Sequence, residues 1–184
     1  MKKIGIFYLF LFILSACQTE IKNDDVTIID DSIISIIDKS SKIEIIADSL
    51  IVSEGPLWDE NSKSLIFTDV AQNKMFTWNE KEGVQDFIKP SGYTGYSPAF
   101  EEGLNGANGI TFNKSGDIVI CQHGDRRVAL IANQKTNDPI FTTIIDNYEG
   151  KKFNSPNDLS IASNGDIYFT DPPYGFFQMA SSSF

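Results

Sequence analysis

Basic residues, cysteine and histidine are all scarce in this chain, and each shortage removes a class of function. Only 15 of its 184 residues are Lys or Arg against 25 Asp or Glu, a formal net charge of −10. An acidic surface repels phosphate backbones and anionic lipid heads, so nucleic acid is not an expected partner. The two cysteines are Cys17 and Cys121. With the first reserved for the leader described below, neither an intrachain disulfide nor a zinc ribbon can form, and stability must come from the core. His123 is the sole histidine, and no Gly-x-Ser-x-Gly string is present. Ser155 stands before a proline, so the usual parts of a Ser-His-Asp hydrolase are missing, and His123 beside a strand end reads as structural. The apolar run Ile4 to Leu14 is too short for an ordinary membrane span, which needs about 20 residues.

What is present begins with an export leader. Lys2 and Lys3 precede that run, and Leu14-Ser15-Ala16-Cys17 closes it. The tetrad resembles a bacterial lipobox, cut before a cysteine that then carries diacylglycerol. Residues 1–16 are therefore expected to be a lipoprotein signal peptide and Cys17 the lipidation site. The protein would be held at the cell envelope, at the periplasmic face or outer membrane of a bacterium, through the lipid alone. Residues 17–42 read as a polar tether followed by N-terminal strands, with one or two strands expected in the isoleucine-rich stretch Val26 to Ile37. Lys42 to Ala47 and Leu50 to Val52 are expected to form an outer strand of a blade.

Residues 43–184 repeat one design. Leu57 to Asp69, Ile110 to Gln122 and Leu159 to Asp171 each read as strand, tight turn, strand. Their starts lie roughly 50 residues apart, the spacing of β-propeller blades. The fold class is thus all-β, a β-propeller of which about two and a half blades are present. Closed rings need at least about four, so the chain is expected to be the N-terminal portion of a longer product. Ser115-Gly116-Asp117 and Asn164-Gly165-Asp166 read as hairpin turns.

In a propeller the innermost strands line a central channel, and the residues leading into them converge. Here those residues are Glu54, Asn108 and Asn157. Gly55 and Pro56 hold the Glu54 carboxylate at a bend, which makes it a metal-ligand candidate, although Glu-Gly-Pro is also an ordinary turn composition. Asn157 offers an amide oxygen, and Asp158 beside it can orient a water or a substrate hydroxyl; Pro-Asn-Asp is equally turn-forming. Asn108 reads as a channel-lining residue, with a left-handed turn before Gly109 as the alternative. Arg126 and Arg127 suit either the surplus carboxylates or a substrate carboxylate. Oxygen donors of this kind favour a hard divalent cation.

Ser53-Glu54-Gly55-Pro56, Asn108-Gly109, His123-Gly124-Asp125-Arg126-Arg127-Val128, Ser155-Pro156-Asn157-Asp158 and Asp171-Pro172-Pro173-Tyr174-Gly175 together resemble the gluconolactonase, regucalcin and luciferin-regenerating-enzyme family over roughly residues 43 to 177. The resemblance implies a six-bladed propeller with one divalent cation in its channel, Ca2+ first, with Mg2+ or Zn2+ as alternatives. It gives the metal to Glu54 and Asn157, substrate contact to Asn157 and Asn108, and a supporting place to Asp158. A further asparagine and aspartate ligand, the latter the family's general base, have no counterpart before residue 184. The implied activity is hydrolysis of sugar lactones. Its rivals are a phosphotriesterase-like hydrolase and a non-catalytic propeller that binds carbohydrate or protein.

Overall fold

A computed structural model describes residues 27–38, 40–98, 104–133 and 138–175. The leader, Cys17 and the chain's last residues lie outside that set. The chain divides into two compact units, Met1–Ile45 and Ile46–Phe184.

In the first unit the expected strands between Val26 and Ile37 are not found where the backbone is described. Asp31–Ser35 is instead a short 3-10 helix. Asp30 caps it, its carboxylate accepting the Ser32 N–H at 2.8 Å. Short polar side chains interleaved with the isoleucines capture nearby backbone groups that a strand would need for its ladder. The expected outer strand across Lys42–Ala47 and Leu50–Val52 is also not formed. The Ile51 and Val52 N–H groups point to the Asp69 carboxylate rather than to a neighbouring strand.

The second unit is all-β. Strands β1 (Ser53–Asp59), β2 (Ser64–Asp69), β3 (Lys74–Asn79) and β4 (Gly83–Ile88) form an antiparallel meander in chain order. The meander recurs in β5 (Ala107–Phe112), β6 (Ile118–Gln122), β7 (Arg127–Ile131) and β8 (Phe141–Ile145). A two-residue ladder, β9 (Asn147–Tyr148) with β10 (Lys151–Lys152), precedes a third hairpin of β11 (Leu159–Ile161) and β12 (Ile167–Phe169). These are two complete blades and the inner hairpin of a third.

Strand β6 shows why the blades stack. Its Ile118 and Ile120 join Ile66, Met75 and Ile88 of the first blade and Ile110, Ala129 and Ile131 of its own in one core. Its Val119 and Cys121 point the other way, joining Val128 and Leu159, with Ile161, Ile167 and Phe169 packed alongside. Alternation with period two puts apolar side chains on both faces, and a sheet buried on both faces lies between two neighbours.

The turns follow from local chemistry. Asn113 Oδ1 accepts the N–H groups of both Ser115 and Asp117 at 2.9 Å, closing the β5–β6 turn. Asn164 Oδ1 accepts the Asp166 N–H in the β11–β12 turn. In a meander alternate loops lie at opposite ends, so the starts of β1, β5 and β11 share one end with the β2–β3 and β6–β7 loops and the blade crossovers. Glu54, Asn108 and Asn157 are therefore gathered at one end of the unit.

Candidate functional site

The three lead-in segments touch one another through their main chains. Strand β1 carries a bulge between Glu54 and Leu57. Gly55 within it has φ of 52° and lies so close to the second segment that a Cβ would stand 2.5 Å from the Asn108 carbonyl oxygen. That oxygen accepts the Thr68 hydroxyl at 3.0 Å. On the far side, the Gly109 N–H donates to the Asn157 carbonyl at 2.7 Å. A Cβ on Gly109 would lie 2.6 Å from Asp158 Oδ1. Glu54, Asn108 and Asn157 are thus carried on three adjoining pieces of backbone, although they lie far apart in sequence.

Exposure divides them. Glu54 and Asp158 are exposed, Asn157 is half-buried, and Asn108 is buried at 7%. Asn108 therefore sits inside the wall, while the other three stand at its rim. Asp158 Oδ1 accepts the Leu159 N–H at 2.8 Å, and its own N–H donates to Thr170 Oγ1 at 3.1 Å, which fixes the carboxylate to the main chain.

Other sequence candidates prove structural. Arg127 is buried and donates from Nε to Gln122 Oε1 at 2.6 Å and from Nη1 to Thr143 Oγ1 at 2.7 Å. Its guanidinium also pairs with the buried Asp125 carboxylate at 3.5 Å and lies over the Tyr96 ring. Asp125 in turn receives the Thr94 and Tyr96 N–H groups, tying the β4–β5 crossover to the β6–β7 loop. Arg126 Nε donates to the Phe153 carbonyl at 2.6 Å. His123 is buried at 2%, and burial pushes its pKa down to about 4, so its ring is neutral near pH 7. Burial also drives the Cys121 thiol well above its usual value, with the charges of Asp158 and Asp171 adding to the effect. A thiol kept protonated is inert. Ser155 is buried, donates to the Pro172 carbonyl, and accepts the Tyr174 and Gly175 N–H groups, the bonding of a loop anchor rather than a nucleophile.

Two carboxylates escaped the sequence reading. Asp69 accepts the Ile51 N–H at 2.8 Å and the Val52 N–H at 3.3 Å. Asp171 accepts the Asn154 N–H at 2.9 Å and the Ser155 N–H at 2.7 Å. The signal was available, because both close the same tripeptide, Phe67-Thr68-Asp69 and Phe169-Thr170-Asp171.

For a hard cation, the donors at the rim have the right chemistry: the Glu54 and Asp158 carboxylates and the Asn157 amide oxygen, on segments that flank Asn108-Gly109. Among the described residues no group of three or more His, Cys, Asp or Glu is placed to hold a metal ion. Glu54 and Asn157 fit part of a coordination shell and not the whole.

Comparison with known proteins adds a family. The profile of the SMP-30/Gluconolactonase/LRE-like region matches residues 52–183. A gluconolactonase from Zymomonas mobilis subsp. mobilis is 39% identical over 151 residues, which cover 80% of this chain and 41% of that protein. A gluconolactonase structure from Xanthomonas campestris superposes with a TM-score of 0.59 at 27% identity, over 73% of this chain and 40% of the other. An X-ray structure of a candidate gluconolactonase gives a TM-score of 0.57 at 33% identity, over 71% and 39%. The chain spans about two fifths of the length of these relatives.

Proposed function

Because the chain belongs to the SMP-30/gluconolactonase/LRE-like family, we propose that its rim residues are part of the site of a divalent-cation-dependent hydrolase of sugar lactones. The observation that carries this reading is the contiguous backbone of the three lead-ins, which places the Glu54 and Asn157 lead-ins on either side of Asn108-Gly109. Glu54 and Asn157 would hold the cation, Ca2+ by preference for oxygen donors, with Mg2+ or Zn2+ as alternatives. Bound there, a divalent ion supplies Lewis-acid polarisation of the lactone carbonyl.

The remaining work falls to this chain's own groups. Asp158, anchored by the Leu159 N–H, orients a water or a sugar hydroxyl beside Asn157. Asn108, held by Thr68 through its carbonyl and buried inside the wall, braces the two lead-ins that carry the proposed ligands rather than reaching substrate itself. At the other end of the polypeptide we assign Cys17 the lipid that holds the protein at the envelope. Loss of lipid labelling in Cys17→Ala, and release of the protein from membranes, is the expected result.

The test of the catalytic reading is hydrolysis of glucono-lactone by the full chain, with EDTA and with Ca2+ restored. Activity should vanish with chelation, return with the ion and be lost in Glu54→Gln. Turnover untouched by EDTA would overturn the metal-dependent reading, and turnover of a phosphotriester in place of the lactone would overturn the substrate class.

A further inference from the structure

Asp69 and Asp171 stand in one relation to the two proposed ligands. In each case the first N–H of a consecutive pair donates to Oδ2 and the second to Oδ1. In each case the second residue of the pair, Val52 or Ser155, lies two positions before the ligand, Glu54 or Asn157. Two oxygens on two successive N–H groups fix the intervening peptide plane, and such charge-assisted bonds are stronger than neutral ones. Two residues of chain reach at most about 7 Å, so little freedom accumulates between clamp and ligand.

The second blade supplies an internal contrast. Gln122 occupies the corresponding place at the end of β6, but its amide is turned elsewhere, donating to the Ser91 carbonyl at 2.8 Å and accepting from Arg127. The lead-in N–H of Gly106 bonds instead to the Val70 carbonyl at 2.7 Å. That lead-in ends in Asn108, the buried member of the three. A carboxylate clamp accompanies the two rim positions assigned to the metal and is replaced by an amide where the residue is withdrawn.

We propose that Asp69 and Asp171 are positioning residues, each locking the backbone that presents one cation ligand, Glu54 or Asn157. This rests on the assignment of those two residues to the metal. It goes further, because neither carboxylate need touch the ion. Asp69 also takes the Ala71 and Gln72 N–H groups and so organises the β2–β3 turn. Asp171 is exposed, which makes its replacement the cleaner probe.

The experiment is Ca2+ titration calorimetry on the full chain, comparing wild type with Glu54→Gln, Asp69→Asn, Asp171→Asn and Asp171→Glu, with the metal-free Tm measured for each. Wild type should bind, Glu54→Gln should not, and the two Asn variants should lose about 10-fold in affinity, the scale of outer-shell effects at metal sites. Asp171→Glu, which keeps the carboxylate, should recover part of the loss, and a role confined to folding would leave the affinity of a folded variant unchanged. If Asp69→Asn unfolds, Asp171→Asn decides. Wild-type affinity in Asp171→Asn beside a lost site in Glu54→Gln would overturn the clamp and leave the metal assignment standing. A wild type that binds neither Ca2+, Mg2+ nor Zn2+ would overturn both.

Discussion

Gly109 is a residue at which the wall leaves no room for a side chain. A methyl there would lie 2.8 Å from the Asp158 Cα and 2.9 Å from the Asn157 carbonyl oxygen, and main chain cannot swing aside as a flexible side chain can. Gly109→Ala is expected to destabilise the fold by about 1–3 kcal/mol, the usual cost of overpacking, and urea unfolding measures it. Arg127 and Asp125 are both buried, with side-chain exposures of 5% and 0%. Arg127→Met strands a buried carboxylate and should cost about 3–5 kcal/mol by the same measurement. His123 makes a pH prediction. Its pKa falls from 6.5 to about 4 on folding, so between those values the unfolded chain binds more protons than the folded one. The stability it protects is fully present above about pH 6.5 and is lost as pH falls toward 4; His123→Gln should flatten that slope in unfolding experiments. An unchanged slope would show that other groups set it. Glu54 and Asn157 were legible as candidates because a repeat singles out equivalent positions. Asp69 and Asp171 were given no role, because a carboxylate beside a turn looks the same in sequence whether it faces water or grips a backbone, and the shared Phe-Thr-Asp tripeptide marks the pair as equivalent without saying what it holds.

Hairpins were read correctly where a short turn announced itself between alternating apolar runs, as at Asn113 and Asn164. Asn113→Ala removes the acceptor for two N–H groups and should cost about 1 kcal/mol, with the blade otherwise intact. A loss much larger than that would mean the turn governs the whole blade. The isoleucine-rich stretch before Asp38 misled the reading because composition favours strands, whereas Asp30 supplies a cap and Ser32 the N–H it wants. The outer strands β3, β4, β7 and β8 went unassigned for a related reason. The period-two signal fades in both directions: β8 has a mixed exposure pattern, whereas β7 is buried nearly throughout and reads as a continuous apolar run.

Across the second unit the apolar cores lie between the blades, and the far face of the first blade carries exposed apolar surface. Trp58 is 47% exposed there, and with Trp78, Ser64, Asn79, Lys63 and Glu80 it lines a cavity of about 680 Å3. Val84 on the same sheet and Tyr168 on the third hairpin are also exposed. Apolar surface of this kind drives association. The purified 184-residue chain is expected to form oligomers as its concentration rises in sedimentation velocity, and Trp58→Gln to shift them toward monomer. A wild type that stays monomeric throughout would contradict this. The family resemblance carried the architecture further than the repeats alone, since three hairpins define a blade spacing but not how many blades close a ring.

Among the described residues, the three lead-ins meet mainly through carbonyls, amide hydrogens and glycines, with the Asp158 carboxylate as a side-chain neighbour of Gly109. The scaffold is therefore indifferent to which side chains it displays at positions 54 and 157. Under the proposed assignment, ion preference or substrate could drift during evolution by exchanging those two groups, with no need to rebuild the platform beneath them.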